Sequence, residues 1–183
     1  MVIYEPQQEI WGDVPLGDMF SDLDPFIYLL KLVELGLKPL GQWAGPLTEK
    51  QQAMLAGSGL ARGVLRRLPP EGGEIVVTIF SRDAALVRQH VNAFDGASLI
   101  SSPERLRLEG AHFGYPSCCV ENFIMHGQKP NGLPPEVQGL LFHWACPDCV
   151  PSRQLAESYR VVYDSLRNGN GHPYPQQEGG NTE

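Results

Sequence analysis

The sequence predicts an α+β fold, or a small α/β one, helix-rich and built on a single core, with a C-terminal lobe held by a four-cysteine site. Three observations predict it. Apolar residues recur at three- and four-residue steps in several segments bounded by helix-capping residues. One β-branched run, Ile75-Val76-Val77-Thr78-Ile79, lies between Gly72-Gly73 and Ser81. All four cysteines fall in one stretch, as the adjacent pair Cys118-Cys119 and the Cys-x-x-Cys knuckle of Cys146 and Cys149. The chain divides into a helical and α/β portion at 1–110, the cysteine lobe at 111–167, and a polar, Gly/Pro-rich tail at 168–183 that is expected to be disordered.

Taken in order, residues 1–21 read as irregular, with Trp11 and Phe20 pinning them to the body. Asp24-Pro25 starts a helix: the carboxylate accepts from orphan N–H groups, and proline needs no donor at the first helical position. Phe26, Leu29, Leu30, Val33 and Leu37 form its apolar stripe. Residues 37–45 read as a connection carrying Trp43. Thr48 with Gln51 matches a capping box and opens a second helix. Gly57-Ser58-Gly59 reads as a helix–helix turn, after which Leu60, Val64, Leu65 and Leu68 form another helical face ended by Pro69-Pro70. Arg62, Arg66 and Arg67 would then be its solvated side.

The β-branched run follows as a buried strand. Next comes a helix with Ala84, Leu86, Val87, Val91 and Phe94 on its apolar side and His90 as a core or boundary residue. Residues 97–100 make a second short strand, and Ser102-Pro103 caps a helix leading to His112.

The net charge of −7 over 183 residues argues against a broad phosphate-binding surface, so nucleic acid is not the expected partner. The longest apolar stretch, 26–37, is interrupted by Lys31 and Glu34 and is too short for a bilayer. The N-terminus lacks the basic start and apolar run of a signal peptide. A cytoplasmic protein is the expectation, with an unidentified protein or small molecule as partner. In a reducing compartment, clustered cysteines point to metal binding or redox chemistry before disulfides.

Ser117 reads as the N-cap of a helix that holds both Cys118 and Cys119 in its first turn. There the unpaired N–H groups and the helix dipole favour thiolate. Cys146-Pro147-Asp148-Cys149 forms a tight knuckle ahead of a helix with Leu155, Tyr159, Val162, Tyr163 and Leu166 on one side. Convergence of the two pairs would make a metal site. Zn2+ is the first reading, since Cys-x-x-Cys is a common zinc knuckle. Neighbouring side chains at a helix start diverge by about a hundred degrees. Either one of Cys118 and Cys119 binds, with His112 or His143 as fourth ligand, or a wider object such as a [4Fe–4S] cluster is held. Adjacent cysteines ligate a cluster in the complex I subunit that carries the last iron–sulfur centre, and the local Cys-Cys at a helix start is similar. Metal-free thiols remain the third reading.

The run Gly-Tyr-Pro-Ser-Cys-Cys-Val-Glu-Asn-Phe, with the later Cys-Pro-Asp-Cys, resembles an uncharacterised prokaryotic family bearing a Gly-Tyr/Phe-Pro-x-Cys-Cys motif and a second cysteine pair. The similarity covers about residues 110–165. It implies a shared site at Cys118, Cys119, Cys146 and Cys149 and no particular reaction. A Cys–His dyad would need His112, His126 or His143 beside a thiol, and Glu121 is more simply a solvated helix residue than an acid–base group. Whether the protein is an enzyme stays open. The functional classes are a structural metal-binding protein, a cluster- or thiol-dependent enzyme, and a non-catalytic adaptor recognising partners through Trp11 or Trp43.

Overall fold

The computed structural model describes residues 23–99 and 101–169. The expectations for Trp11, Phe20, Ile100 and the tail beyond 169 lie outside the described residues. Within them, seven helices and a four-stranded sheet make an α+β fold. Helix α1 (Pro25–Glu34) begins as its sequence requires, with the Asp24 carboxylate accepting the Phe26 N–H at 2.9 Å. Helix α2 (Glu49–Gly57) carries the complete capping box between Thr48 and Gln51. The Gln51 amide also donates to Asp24, which ties the two helix starts together.

The sheet contains β1 (Leu40–Ala44), β2 (Ala61–Leu68), β3 (Ile75–Ser81) and β4 (Ala97–Ser98), in the order β1-β3-β2-β4. β3 pairs antiparallel with both β1 and β2, and β4 runs parallel to β2. Two segments depart from expectation. The connection at 37–45 contains β1, and the segment read as a helical face is β2. The helical spacing of Leu60, Val64, Leu65 and Leu68 is present, but burial along β2 alternates with the period of a strand. Leu65 and Arg67 are buried, while Val64, Arg66 and Leu68 are exposed. Pairing to β3 decides the matter, with Leu65 opposite Val77 and Arg67 opposite Ile75. Gly57-Ser58-Gly59 therefore joins a helix to a strand.

The three arginines do not share a solvated face. Arg67 points inward, its Nη1 donating to Glu109 at 2.8 Å and its guanidinium lying 5.3 Å from the Phe94 ring centroid. An opposite charge and an aromatic face replace the water it has lost.

Helices α3 (Ala84–Phe94) and α4 (Pro103–Phe113) supply Val87, Phe94 and Phe113 to the core that includes Leu65 and Val77 of the sheet. Phe80 of β3 packs instead with Phe26, Leu29 and Leu55 from α1 and α2. The other side of α1 presents Tyr28 and Leu32 to Tyr159, Val162 and Tyr163 of α7 (Val150–Arg167). α1 thus belongs to two cores and couples the cysteine region to the sheet. Trp43 is half-buried and meets Phe26 edge-on, ring centroids 5.3 Å apart. Between α4 and α7 lie α5 (Ser117–His126) and the short α6 (Pro135–Gln138). Gly110 lets α5 approach α4 closely: a Cβ there would stand 2.5 Å from Val120 Cγ2. No helix among the described residues is long and apolar enough to cross a membrane.

Candidate metal centre

The first cysteine pair is positioned by the way α4 stops. Gly114 takes a left-handed conformation at φ 71°, and a Cβ there would lie 2.7 Å from Pro39 Cδ, so both the backbone and the space demand glycine. Tyr115-Pro116 then turns the chain into α5. Pro116 occupies the N-cap position expected of Ser117, and no side chain caps the helix. Ser117 is its first residue, which still leaves Cys118 and Cys119 in the first turn. Cys118 is exposed and Cys119 buried.

The second pair arrives through an irregular segment pinned by two buried amides. Asn131 Nδ2 donates to Gln138 Oε1 at 2.7 Å and to the Ala145 carbonyl at 2.9 Å, and Gln138 Nε2 donates to the His143 carbonyl at 2.8 Å. These bonds satisfy backbone groups that no helix or strand serves. The knuckle itself is a turn closed by the Cys149 N–H on the Cys146 carbonyl at 3.3 Å. Pro147 fixes one corner and Asp148 takes φ 54° at the next, a conformation aspartate tolerates better than most residues. Cys149 is also the N-cap of α7, its sulfur accepting the Ser152 N–H at 3.5 Å.

The two pairs meet. The Sγ atom of Cys119 lies 3.4 Å from that of Cys149 and 3.7 Å from that of Cys146, and Cys118 Sγ is 3.6 Å from Cys149 Sγ. All four sulfurs lie within 4.8 Å of one another, close enough to share one metal ion. The expected divergence of Cys118 and Cys119 does not separate them. The knuckle and the start of α7 close over the first turn of α5, so both neighbouring thiols reach Cys149 and Cys119 also reaches Cys146.

The surroundings act unequally on the four thiols. Burial pushes Cys119 well above the ordinary thiol range, despite hydrogen bonds from the Ser152 hydroxyl and from the Cys146 N–H. Burial likewise raises Cys146, to about 11. Cys149 is brought down to about 7: burial opposes ionisation there, but hydrogen bonds from Ser152 and from the thiols of Cys119 and Cys118 outweigh it. The dipole argument for an ionised adjacent pair thus loses to desolvation at Cys119. A divalent cation changes the balance, because coordination deprotonates a thiol outright.

The two histidines proposed as ligands take other partners. His143 Nε2 lies 2.8 Å from Ser152 Oγ, which lies 3.2 Å from Cys119 Sγ, so His143 reaches the sulfurs only through a hydroxyl. Burial, with the nearby Lys38 charge, lowers its pKa to about 3. His112 Nδ1 faces His90 Nδ1 at 3.0 Å, between α4 and α3. His90 is fully buried and lowered to about 3 by burial, His112 and Arg67, which makes it a core histidine. His126 is exposed at the end of α5, and Glu121 forms an exposed ion pair with Arg107.

Sequence reasoning missed Ser152 and Lys38. Ser152 stands three residues after Cys149, a spacing that puts it over the helix start once α7 is placed. Lys38 carries no local signal: it sits between Leu37 and Pro39, yet it is buried with no carboxylate partner among the described residues. Its ammonium donates to the Phe113 carbonyl at 3.3 Å and lies 4.6–5.2 Å from the ring centroids of Tyr115, Phe113 and Phe142.

No protein-family model, curated protein or solved structure matches the chain. What the fold and site define is an α+β protein with four cysteines, at 118–149, gathered at metal-binding distance.

Proposed function

We propose that the protein binds a single Zn2+ through Cys118, Cys119, Cys146 and Cys149, and that the metal is structural, locking the start of α5 to the start of α7. The observation that carries this reading is the sulfur spacing. Four thiolates about 2.3 Å from a tetrahedral ion stand about 3.8 Å apart, close to the 3.4–3.7 Å separations of the hydrogen-bonded sulfur pairs. A [4Fe–4S] cluster puts each thiolate on a different iron and needs a wider ring of sulfurs. Four thiolates also fill a tetrahedral shell, leaving no open position of the kind catalytic zinc keeps. These are the four residues that the Gly-Tyr/Phe-Pro-x-Cys-Cys resemblance implies. His143, through Ser152, would orient the Cys119 sulfur from outside the shell.

A reducing compartment such as the cytoplasm suits this chemistry, because sulfurs this close would oxidise to disulfides elsewhere. The acidic charge favours a protein or small-molecule partner over nucleic acid. The deciding experiment is elemental analysis for zinc and iron on full-length protein purified without oxygen. One zinc per chain and a colourless protein are expected. Several irons per chain and a brown colour would replace zinc by the cluster reading. A metal-free protein whose thiols alkylate quickly would replace it by thiol chemistry.

A further inference from the structure

A cavity of about 290 Å³ lies between the sheet and the cysteine region. Val120 and Phe123 of α5 line it, with Phe113 of α4 and the run Phe142, His143 and Trp144 before the knuckle. An apolar cavity of about half this volume holds a benzene molecule, so there is room for one or two rings. The charged residues of the wall, Arg67 and Glu109, are already paired with each other at 2.8 Å. An anionic ligand would meet that carboxylate and a cationic one that guanidinium, so the wall selects for a neutral molecule.

One polar atom of the wall takes its character from the metal centre. A thiolate on zinc carries no proton, so the Ser152 hydroxyl, 3.2 Å from Cys119 Sγ, must donate to the sulfur; otherwise two lone pairs would face each other. The hydroxyl oxygen is then the acceptor for His143 Nε2, 2.8 Å away, which places the imidazole proton on that nitrogen. Burial keeps the ring neutral, and Nδ1 is left as an acceptor. Nδ1 has no hydrogen-bond partner among the described residues. The four side-chain atoms there that are both enclosed and unsatisfied belong to Gln42, Arg67, His90 and Ser101, so Nδ1 keeps an open approach. His143 is half-buried and lines the cavity, and the indole N–H of its neighbour Trp144 is taken by the Lys129 carbonyl.

We propose that this cavity is a binding site for a neutral aromatic molecule carrying one hydrogen-bond donor, as a phenol does, with His143 Nδ1 as the acceptor of that bond. The ring of the ligand packs on the apolar wall. The proposal rests on the zinc reading, because the metal is what holds Cys119 as a thiolate and thereby fixes the imidazole tautomer.

The test uses the full-length protein as isolated, with its zinc counted first. Phenol is the probe, and anisole is the control that keeps the ring and the oxygen but has no proton to donate. Long-range nitrogen–proton correlation spectra report which nitrogen of His143 carries the proton and what happens at the other. A proton on Nε2 is expected, together with a saturable movement of the Nδ1 resonance on adding phenol, at millimolar affinity for so small a molecule. Anisole is expected to bind about fivefold more weakly and to leave Nδ1 unmoved. His143→Phe identifies the resonance by its loss and removes the acceptor, so phenol should weaken by about fivefold and anisole should not. Should that variant fail to fold, the unaltered protein still decides. With zinc bound, a proton on Nδ1, equal binding of phenol and anisole, or an Nδ1 that stays still at about 10 mM phenol would each overturn this proposal alone. Absence of zinc, seen before any probe is added, would remove the zinc reading and this one with it.

Discussion

Replacing Cys149 separates the metal's contribution from that of a helix cap, because this residue supplies both. Its sulfur lies 3.4 and 3.6 Å from those of Cys119 and Cys118, and it accepts the Ser152 N–H at the start of α7. Serine keeps a capping oxygen and removes the thiolate, whereas alanine removes both. A metal held at about a thousand times its dissociation constant stabilises the folded state by about 4 kcal/mol. At about 2–4 °C per kcal/mol for a chain of this size, that amounts to about 8–16 °C in Tm. Cys149→Ser should lose this increment and little else; Cys149→Ala should fall by about 1 kcal/mol more, a further few degrees. The assay is thermal unfolding in reducing buffer, with and without a strong chelator, alongside a count of bound zinc. Chelation should lower the unaltered protein to about the level of Cys149→Ser and leave that variant unmoved. If Cys149→Ser keeps one zinc per chain and responds to chelator as the unaltered protein does, the four-thiolate argument is wrong.

Ser152→Ala removes the hydroxyl between His143 and Cys119 and should weaken zinc binding by about tenfold, read by competition with a chromogenic chelator; an unchanged affinity would show that the bridge does not orient the sulfur. Burial lowers the Lys38 ammonium from 10.5 to about 7. Between those values the unfolded chain binds more protons than the folded one, so Lys38 makes stability rise with pH across that window and penalises folding below it. Lys38→Met should therefore stabilise the protein near neutral pH by a few kcal/mol and flatten the rise. Urea unfolding at about pH 7 and pH 9 checks this, and equal slopes in the two proteins would refute it. Gly114→Ala forces a side chain into a left-handed residue and against Pro39. It should cost about 2 kcal/mol or more in urea unfolding and should also weaken zinc binding, because this turn delivers Cys118 and Cys119; a loss below about 0.5 kcal/mol would mean that the turn relaxes freely.

Helix starts were the most legible feature, because their signals are local. Asp24-Pro25, Thr48 with Gln51, and Ser102-Pro103 each cap a helix within a few residues of the signal itself. The four-cysteine group was legible for a different reason: thiols are rare in this chain, and four confined to 118–149 left few other arrangements. Their individual roles were less so. Both adjacent cysteines reach the group, and the histidines that seemed needed to complete it bond elsewhere, because the closing knuckle comes from a segment 27 residues away along the chain.

The sequence by itself determined where α1, α2 and α4 begin, that β3 is a buried strand, and which four residues gather. Only the tertiary structure decided that residues 61–68 form a strand. The helical spacing of their leucines is genuine, and the competing two-residue pattern is concealed because one of its inward positions is an arginine. Arg67 can face inward only because Glu109, 42 residues later, and the ring of Phe94 are waiting for it. The same dependence on distant partners hid Lys38 in its aromatic enclosure and brought His143 to the wall of a cavity. A charge or a free hydrogen-bonding group is read from sequence as surface; what makes it interior is a compensating group that folding alone brings near.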